Sequence, residues 1–296
     1  MFDLRYHVAS LAAVFLALII GILVGVGITR GGFVSSAERR VLNDQIQEAK
    51  DQRDAARQRV SALEQQEQGA LDYVEATYPA LMADRLRDKK IVLVSVGSMD
   101  PGVRSSVIQT LRDANAPYPV RIRAIKVPVD DVSLDALMKG HPALAQYLGT
   151  DKLPELGQAL AEELVGGGRT PLWDALASQL VEERLGGNHP TADGVVVARS
   201  AKAQKDGTAR FLHGFYTGLA AAGTPAVGVE VSGATASAIP AFERAALSTV
   251  DSIETTPGRL ALALLLAGGQ QGHYGVEPTA TDGILPFVSA QAATGG

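Results

Sequence analysis

The chain of 296 residues carries 27 Lys+Arg against 32 Asp+Glu, a formal charge of −5, with 46% hydrophobic residues and no cysteine. A net acidic field gives no general attraction for nucleic-acid phosphates, so no nucleic-acid partner is expected. Without cysteine there is no disulfide, thiolate zinc site, iron–sulfur cluster or cysteine nucleophile, and a soft-metal site would have to be built from His and Met.

Residues 8–28 read VASLAAVFLALIIGILVGVGI, a run without a charge. At ~1.5 Å per helical residue it covers about 30 Å, the thickness of a bilayer's hydrocarbon core. Residues 1–30 are therefore read as a short tail and an uncleaved, single-pass transmembrane anchor. The run is longer than a signal peptide's apolar region and passes straight into a polar helical pattern. Small residues recur along it at Ala9, Ala13, Ala17, Gly21 and Gly25. Ala13, Ala17, Gly21 and Gly25, the last two forming GxxxG, are the expected contact between membrane helices, because small side chains let two backbones approach. Arg5 precedes the run, and Arg30, Arg39 and Arg40 follow it. That count favours a cytoplasmic C-terminus, whereas a seven-residue tail ahead of a long domain fits export, so both topologies stand on these grounds.

Residues 31–80 are read as a coiled-coil stalk. Between Ala37 and Tyr78 there is one Gly and no Pro, and a 4-3 spacing places Ile46, Val60 and Val74 at a and Leu42, Ala49, Ala56, Leu63 and Ala70 at d. Arg53 and Glu67 occupy the remaining a positions. Charged a residues weaken the seam and can fix register and partner, so the expectation is a parallel homodimer or higher oligomer, or a coil that takes an envelope partner. Such a helix would hold the rest of the chain roughly 60 Å from the bilayer. Pro79 marks its expected end.

Residues 88–275 are read as an α/β head of Rossmann-like type with a mostly parallel sheet, and 276–296 as a C-terminal tail. The apolar run 91–96 predicts a buried strand, followed by a helix capped by Asp100 and opened by Pro101. Residues 120–127, alternating apolar residues with Arg121, Arg123 and Lys126, predict an edge strand with one solvated face. Helices are predicted near 131–148, 154–165 and 171–185, the last capped by Thr170. Strands at 194–198 and 225–231 then alternate with helices at 208–222 and 237–247. A final helix runs from Pro257 to Ala267, capped by Thr256 and closed by Gly268-Gly269. Residues 91–296 hold fifteen basic and twenty acidic side chains, so the acid excess lies in the head.

The head carries no written chemistry. VGSMDPG (96–102) lacks GxGxxG and the Walker lysine. Gly166-Gly167-Gly168-Arg169 lies between helical patterns, where a glycine run ends a helix more often than it holds a ligand. Ser95 and Ser232 lack GxSxG and a nearby His. Glu162-Glu163 and Glu182-Glu183 read as solvated charge on polar helix faces. His7, His141, His189, His213 and His273 are scattered, and Met1, Met82, Met99 and Met138 form no MxM or MxxM cluster. No catalytic, cofactor-binding or metal-ligating residue is assigned, and the chain is not read as an enzyme.

The opening RYHVASLAAVFLALIIGILVGVGI, the Gln/Arg-rich helix and the distal SIETTPGRLALALLLAGGQQGHYG resemble the actinobacterial MctB-type copper-transport family over nearly the whole chain. The resemblance implies a membrane-anchored cell-envelope protein with an extracytoplasmic C-terminal domain and a role in copper efflux or homeostasis, with copper as a partner. Since one apolar helix cannot enclose a pore, a channel would require several chains. Some relatives are associated instead with control of septal cell-wall hydrolysis. With the weak seam, that gives a second reading: a dimeric coiled-coil scaffold that binds an envelope partner.

Overall fold

The computed structural model describes the backbone of residues 4–30, 36–118, 120–187, 190–199 and 202–287, and their side chains except at 4–9, 27–30 and 36–38. The chain forms two compact units, one up to Gly69 and one from Ala70 onward.

The first unit contains helix α1 (Leu4–Arg30) and the start of helix α2 (Ser36–Met82). Every described side chain from 39 to 73 is exposed, as expected for a helix built from Gln, Glu, Ala and Arg. α2 does not end at Pro79. Proline there removes only its own N–H from the ladder, and the next turn closes as Ala83 N donates to Pro79 O at 3.1 Å.

The second unit is built on a seven-stranded sheet among the described residues, ordered β3-β2-β1-β4-β5-β6-β7. Its strands are β1 (Ile91–Val96), β2 (Arg121–Ile125), β3 (Val181–Leu185), β4 (Gly194–Arg199), β5 (Ala226–Val229), β6 (Ser248–Val250) and β7 (His273–Tyr274). All pairings are parallel except β3 on β2. The helices are α3 (Pro101–Asp113), α4 (Asp131–Lys139), α5 (Leu153–Gly166), α6 (Pro171–Leu180), α7 (Asp206–Ala221), α8 (Ile239–Arg244) and α9 (Thr256–Leu266). Alternation sends Val92, Val94 and Val96 of β1 into one core with α4 to α8, and Ile91 and Leu93 into the other with α3 and α9. Both faces of the sheet are thus covered, which explains why β1, β4 and β5 read as unbroken apolar runs. The α/β class with a mostly parallel sheet is as the sequence predicts.

The strand at 120–127 is not an edge strand with a solvated face. All five residues of β2 are buried, because β3 lies outside them. Arg121 Nη2 donates to Leu164 O at 2.6 Å and Arg123 Nη1 to Leu185 O at 2.8 Å, so carbonyls replace water around both guanidiniums. Burial pulls the Arg123 pKa down to about 10, helped by the charges of Arg184 and Arg121, and burial lowers Arg121 in the same direction.

Residues 181–185 form β3 and not the end of the preceding helix. Their polar, helix-compatible composition hides a strand that pairing with β2 imposes. The helix predicted over 131–148 stops at Lys139, since Gly140 and Pro142 break it, and Pro142–Tyr147 is a 3-10 turn. The helix at 237–247 is only α8, because Ala245 leaves the helix and β6 follows. Thr255 and not Thr256 caps α9, accepting from Gly258 N at 3.1 Å.

Two contacts fix the helices that matter below. α5 and α7 approach backbone to backbone at two glycines: a Cβ on Gly214 would lie 2.1 Å from Pro154 O, and one on Gly157 would lie 2.3 Å from Phe211 O. Across the sheet, Met82 and Leu86 enter the second core beside α3 and α9. There Tyr78 donates to Asp113 at 2.8 Å under the Arg259 guanidinium, which lies 5.6 Å from its ring centroid. Burial, and then the Asp113 carboxylate, push the Tyr78 hydroxyl far above the usual phenol range.

Candidate functional site

In a sheet of this order the chain reverses direction between β1 and β4, and the crevice beyond their carboxyl ends is where such folds bind ligands. A cavity of about 380 Å³ lies there, lined by Asp100, Arg199, Lys202 and Glu230 together with the 234–236 loop. Asp100 caps α3 as predicted, accepting from Val103 N at 3.0 Å. Arg199, the last residue of β4, gives Nη2 to Ser237 O at 2.8 Å and to Ala236 O at 3.1 Å. Glu230, just past β5, accepts from Ser237 Oγ at 2.6 Å and Ala238 N at 2.7 Å. These two charges therefore shape the loop, and among the described residues no imidazole lines the crevice.

The serines considered as nucleophiles are committed elsewhere. Ser95 is fully buried and donates to Gly97 O at 2.8 Å. Ser232 donates to the Glu254 carboxylate, which also accepts from Ser232 N at 3.1 Å. His273 Nδ1 faces Thr249 Oγ1 at 3.0 Å. Among the described residues no three His, Asp or Glu side chains gather as a metal-binding group. Met138 is buried in the first core and Met82 in the second, on opposite sides of the sheet, so these thioethers cannot share a soft cation.

Of the paired acids, Glu162 is an exposed charge on α5 as expected, Glu182 is exposed but on β3, and Glu163 and Glu183 are engaged. Glu163 accepts from Leu172 N at 3.0 Å and Trp173 N at 3.2 Å, capping α6 across space. Thr170 precedes the helix, but its hydroxyl makes no hydrogen bond. Burial raises the Glu163 pKa, while the two N–H donors pull against it. Glu183 sits on β3, where it forks with Arg104 at 3.0 and 3.1 Å. Gly167 ends α5 with a φ of 66°, a positive value that glycine adopts without a Cβ penalty.

The distal SIETTPGR motif proves to be a folding device. Ser252 O accepts from Thr255 Oγ1 at 2.8 Å, and a Cβ on Gly258 would lie 2.0 Å from that carbonyl. Arg259 Nη1 returns to Glu254 O at 3.1 Å. Asp251, 2% exposed, gathers the following strand's exit by accepting from Val276 N at 3.1 Å and Thr279 Oγ1 at 2.6 Å. A buried carboxylate beside a β-branched pair is not distinguishable from a surface one by spacing alone.

The surfaces expected to make contacts lie in the first unit, except Ala70 and Val74, which belong to the second. Ala13, Ala17, Gly21 and Gly25 of α1 are all exposed, and a Cβ on either glycine would meet nothing within 4 Å. Large apolar side chains are exposed all round the same helix, including Leu11 at 65%, Phe15 at 60% and Leu23 at 68%. Among the described residues no helix is long and apolar enough to cross a membrane. The described side chains of α1 are those of 10–26, and the predicted span's flanks, including Ala9, lie outside them. On α2, Leu42, Ile46, Ala49, Arg53, Ala56, Val60, Leu63, Glu67 and Ala70 are exposed and Val74 is half-buried. Arg53 pairs with neighbouring Asp54 at 2.7 Å, a solvated contact of little weight.

Residues 1–285 match the model of the family described as copper transport outer membrane protein, MctB. The curated relatives include proteins called copper transporter MctB from Mycobacterium bovis and Mycobacterium tuberculosis. Each is 27% identical over 307 residues, covering 93% of this chain and 96% of the relative.

Proposed function

We propose that this chain, which belongs to the MctB family of copper transport outer membrane proteins, serves in the cell envelope as a membrane-anchored component of copper homeostasis. The family match over residues 1–285 carries the copper role. The anchor is supported by α1, whose 27 residues would extend about 40 Å and whose described side chains are apolar on every face. A helix of that kind has no stable place in water, and a bilayer or other helices must cover it. The small-residue ridge Ala13–Gly25 favours pairing of such helices, and the exposed a and d positions of α2 favour a parallel self-associated coil. The head is extracytoplasmic in this reading.

Copper enters as cargo. The head offers it no thiolate, no three of its described His, Asp or Glu side chains gather as a metal-binding group, and Met82 and Met138 are separated by the sheet. Any conduction of copper then falls to an assembly of α1 helices, one per chain. The test is deletion in the native host, complemented by the full chain or by a chain lacking residues 4–30. Cell copper should rise on deletion and return only with the full chain, which should resist carbonate extraction from membranes. Unchanged cell copper on deletion would refute the copper role. Full rescue by the truncated chain would refute the anchor.

A further inference from the structure

A second cavity, of about 360 Å³, lies along α7, with Pro154 of α5 forming part of its wall. Tyr216, His213 and Arg210 of α7, Arg244 of α8 and Arg199 line it, and among the described residues no carboxylate does. The Tyr216 hydroxyl is buried without a hydrogen-bond partner, and so is Nε of Arg199. Tyr216 is 2% exposed, and Arg199 is near enough for its charge to act on the phenol. Burial nonetheless holds that hydroxyl protonated, far above the usual range, and hence a donor. Arg210 and Arg244 stand exposed at the rim. Gln204 adds an amide, and carbon from Pro154, Leu212 and Ala241 makes up most of the remaining wall.

Three guanidiniums around one recess repel each other, and two buried donors lack acceptors. One occupant relieves both conditions: an anion with several acceptor oxygens, since guanidinium forks match phosphate oxygens and buried donors are costly when unmade. The apolar wall suits a carbon body attached to it, and the volume is that of a small-molecule site. We propose that this groove binds a small organic phosphate. The phosphate accepts from Tyr216 Oη, Arg199 Nε, Arg210 and Arg244, and its organic part lies on Leu212 and Pro154.

The experiment is calorimetric titration of the full chain in detergent with phenyl phosphate, inorganic phosphate and succinate. Saturable one-to-one binding of phenyl phosphate is expected, tighter than that of inorganic phosphate, which lacks the apolar part. The double variant Arg210→Gln/Arg244→Gln, altered only at the exposed rim, should bind at least about tenfold more weakly with an unchanged melting temperature. Tyr216→Phe should weaken binding about two- to tenfold. Absence of saturable binding, or equal affinity in the rim double variant, would overturn the site. Tighter binding of succinate than of phenyl phosphate would overturn the ligand class.

Discussion

Replacing Gly214 with alanine tests whether backbone contact between α5 and α7 organises the head. In an unconstrained helix interior the change would stabilise by about 1 kcal/mol, because alanine has the better helix propensity. Here the new Cβ would sit 2.1 Å from Pro154 O and 2.6 Å from Pro154 Cα, both backbone atoms that cannot swing aside. Ordinary carbon contacts lie near ~3.5 Å, so the helices must part by more than about 1 Å. That parting would also loosen Gly218 against Gln158 and Gly157 against Phe211, which share the seam. Overpacking of this kind costs about 1–3 kcal/mol, and the upper end applies where neither neighbour is a flexible side chain. Subtracting the propensity gain leaves about 2 kcal/mol of destabilisation, or about 4–8 °C in melting temperature for a unit of this size. Circular dichroism melting of the full chain in detergent measures it. Gly166→Ala, at the end of α5 with nothing within 4 Å of the added Cβ, serves as the control and should be neutral or slightly stabilising. A Gly214→Ala melting temperature equal to or above wild type would refute the reasoning.

Three further outcomes follow from the geometry. Thr255→Ala should lose about 1 kcal/mol in urea unfolding, whereas Thr256→Ala, which removes only an acceptor for Arg259 Nη2, should stay within about 0.5 kcal/mol; the reverse ranking would return the cap to Thr256. Because burial raises the Glu163 pKa in the fold, the folded chain holds that proton more tightly than the unfolded chain. Its contribution to stability is then greatest below the ordinary glutamate value and declines as pH rises through the folded pKa, so Glu163→Gln should remove that decline from the stability profile just above pH 4.5. A profile unchanged in the variant would show that Glu163 does not titrate differently on folding. Arg53→Ile with Glu67→Ile should raise the self-associated fraction in cross-linking or sedimentation, since both place branched apolar side chains at a positions; an unchanged distribution would count against the heptad register.

The sequence was most legible where one physical cause dominates. β1, β4 and β5 show as apolar runs because both faces of the sheet are covered, and Asp100-Pro101 announces a helix start because cap and φ restriction are local. β3 was unreadable for the opposite reason: its Glu and Arg residues favour helix, and only β2 makes them a strand. β6 and β7, of three and two residues, are too short to display a period. The Glu163 cap and the meeting of Arg199, Tyr216 and Arg244 depend on residues brought together by tertiary contact, which no local spacing encodes. The exposed positions of α1 and α2 present the other limit, for they are pattern without a described partner.

The two faces of α7 have a joint consequence for how the groove could be filled. Phe211, Gly214, Phe215 and Gly218 lie on the side sealed to α5, while Leu212, His213 and Tyr216 lie on the side that lines the groove. A helix fastened backbone to backbone has little freedom to slide or roll, so the recess beside it cannot close around whatever enters it. Fit must then come from the occupant's shape and from the exposed rim arginines, whose long side chains are free to adjust. Such a site discriminates by size at its floor and by charge at its mouth. Additions that bulk up the carbon end of an occupant should be rejected abruptly and not by degrees.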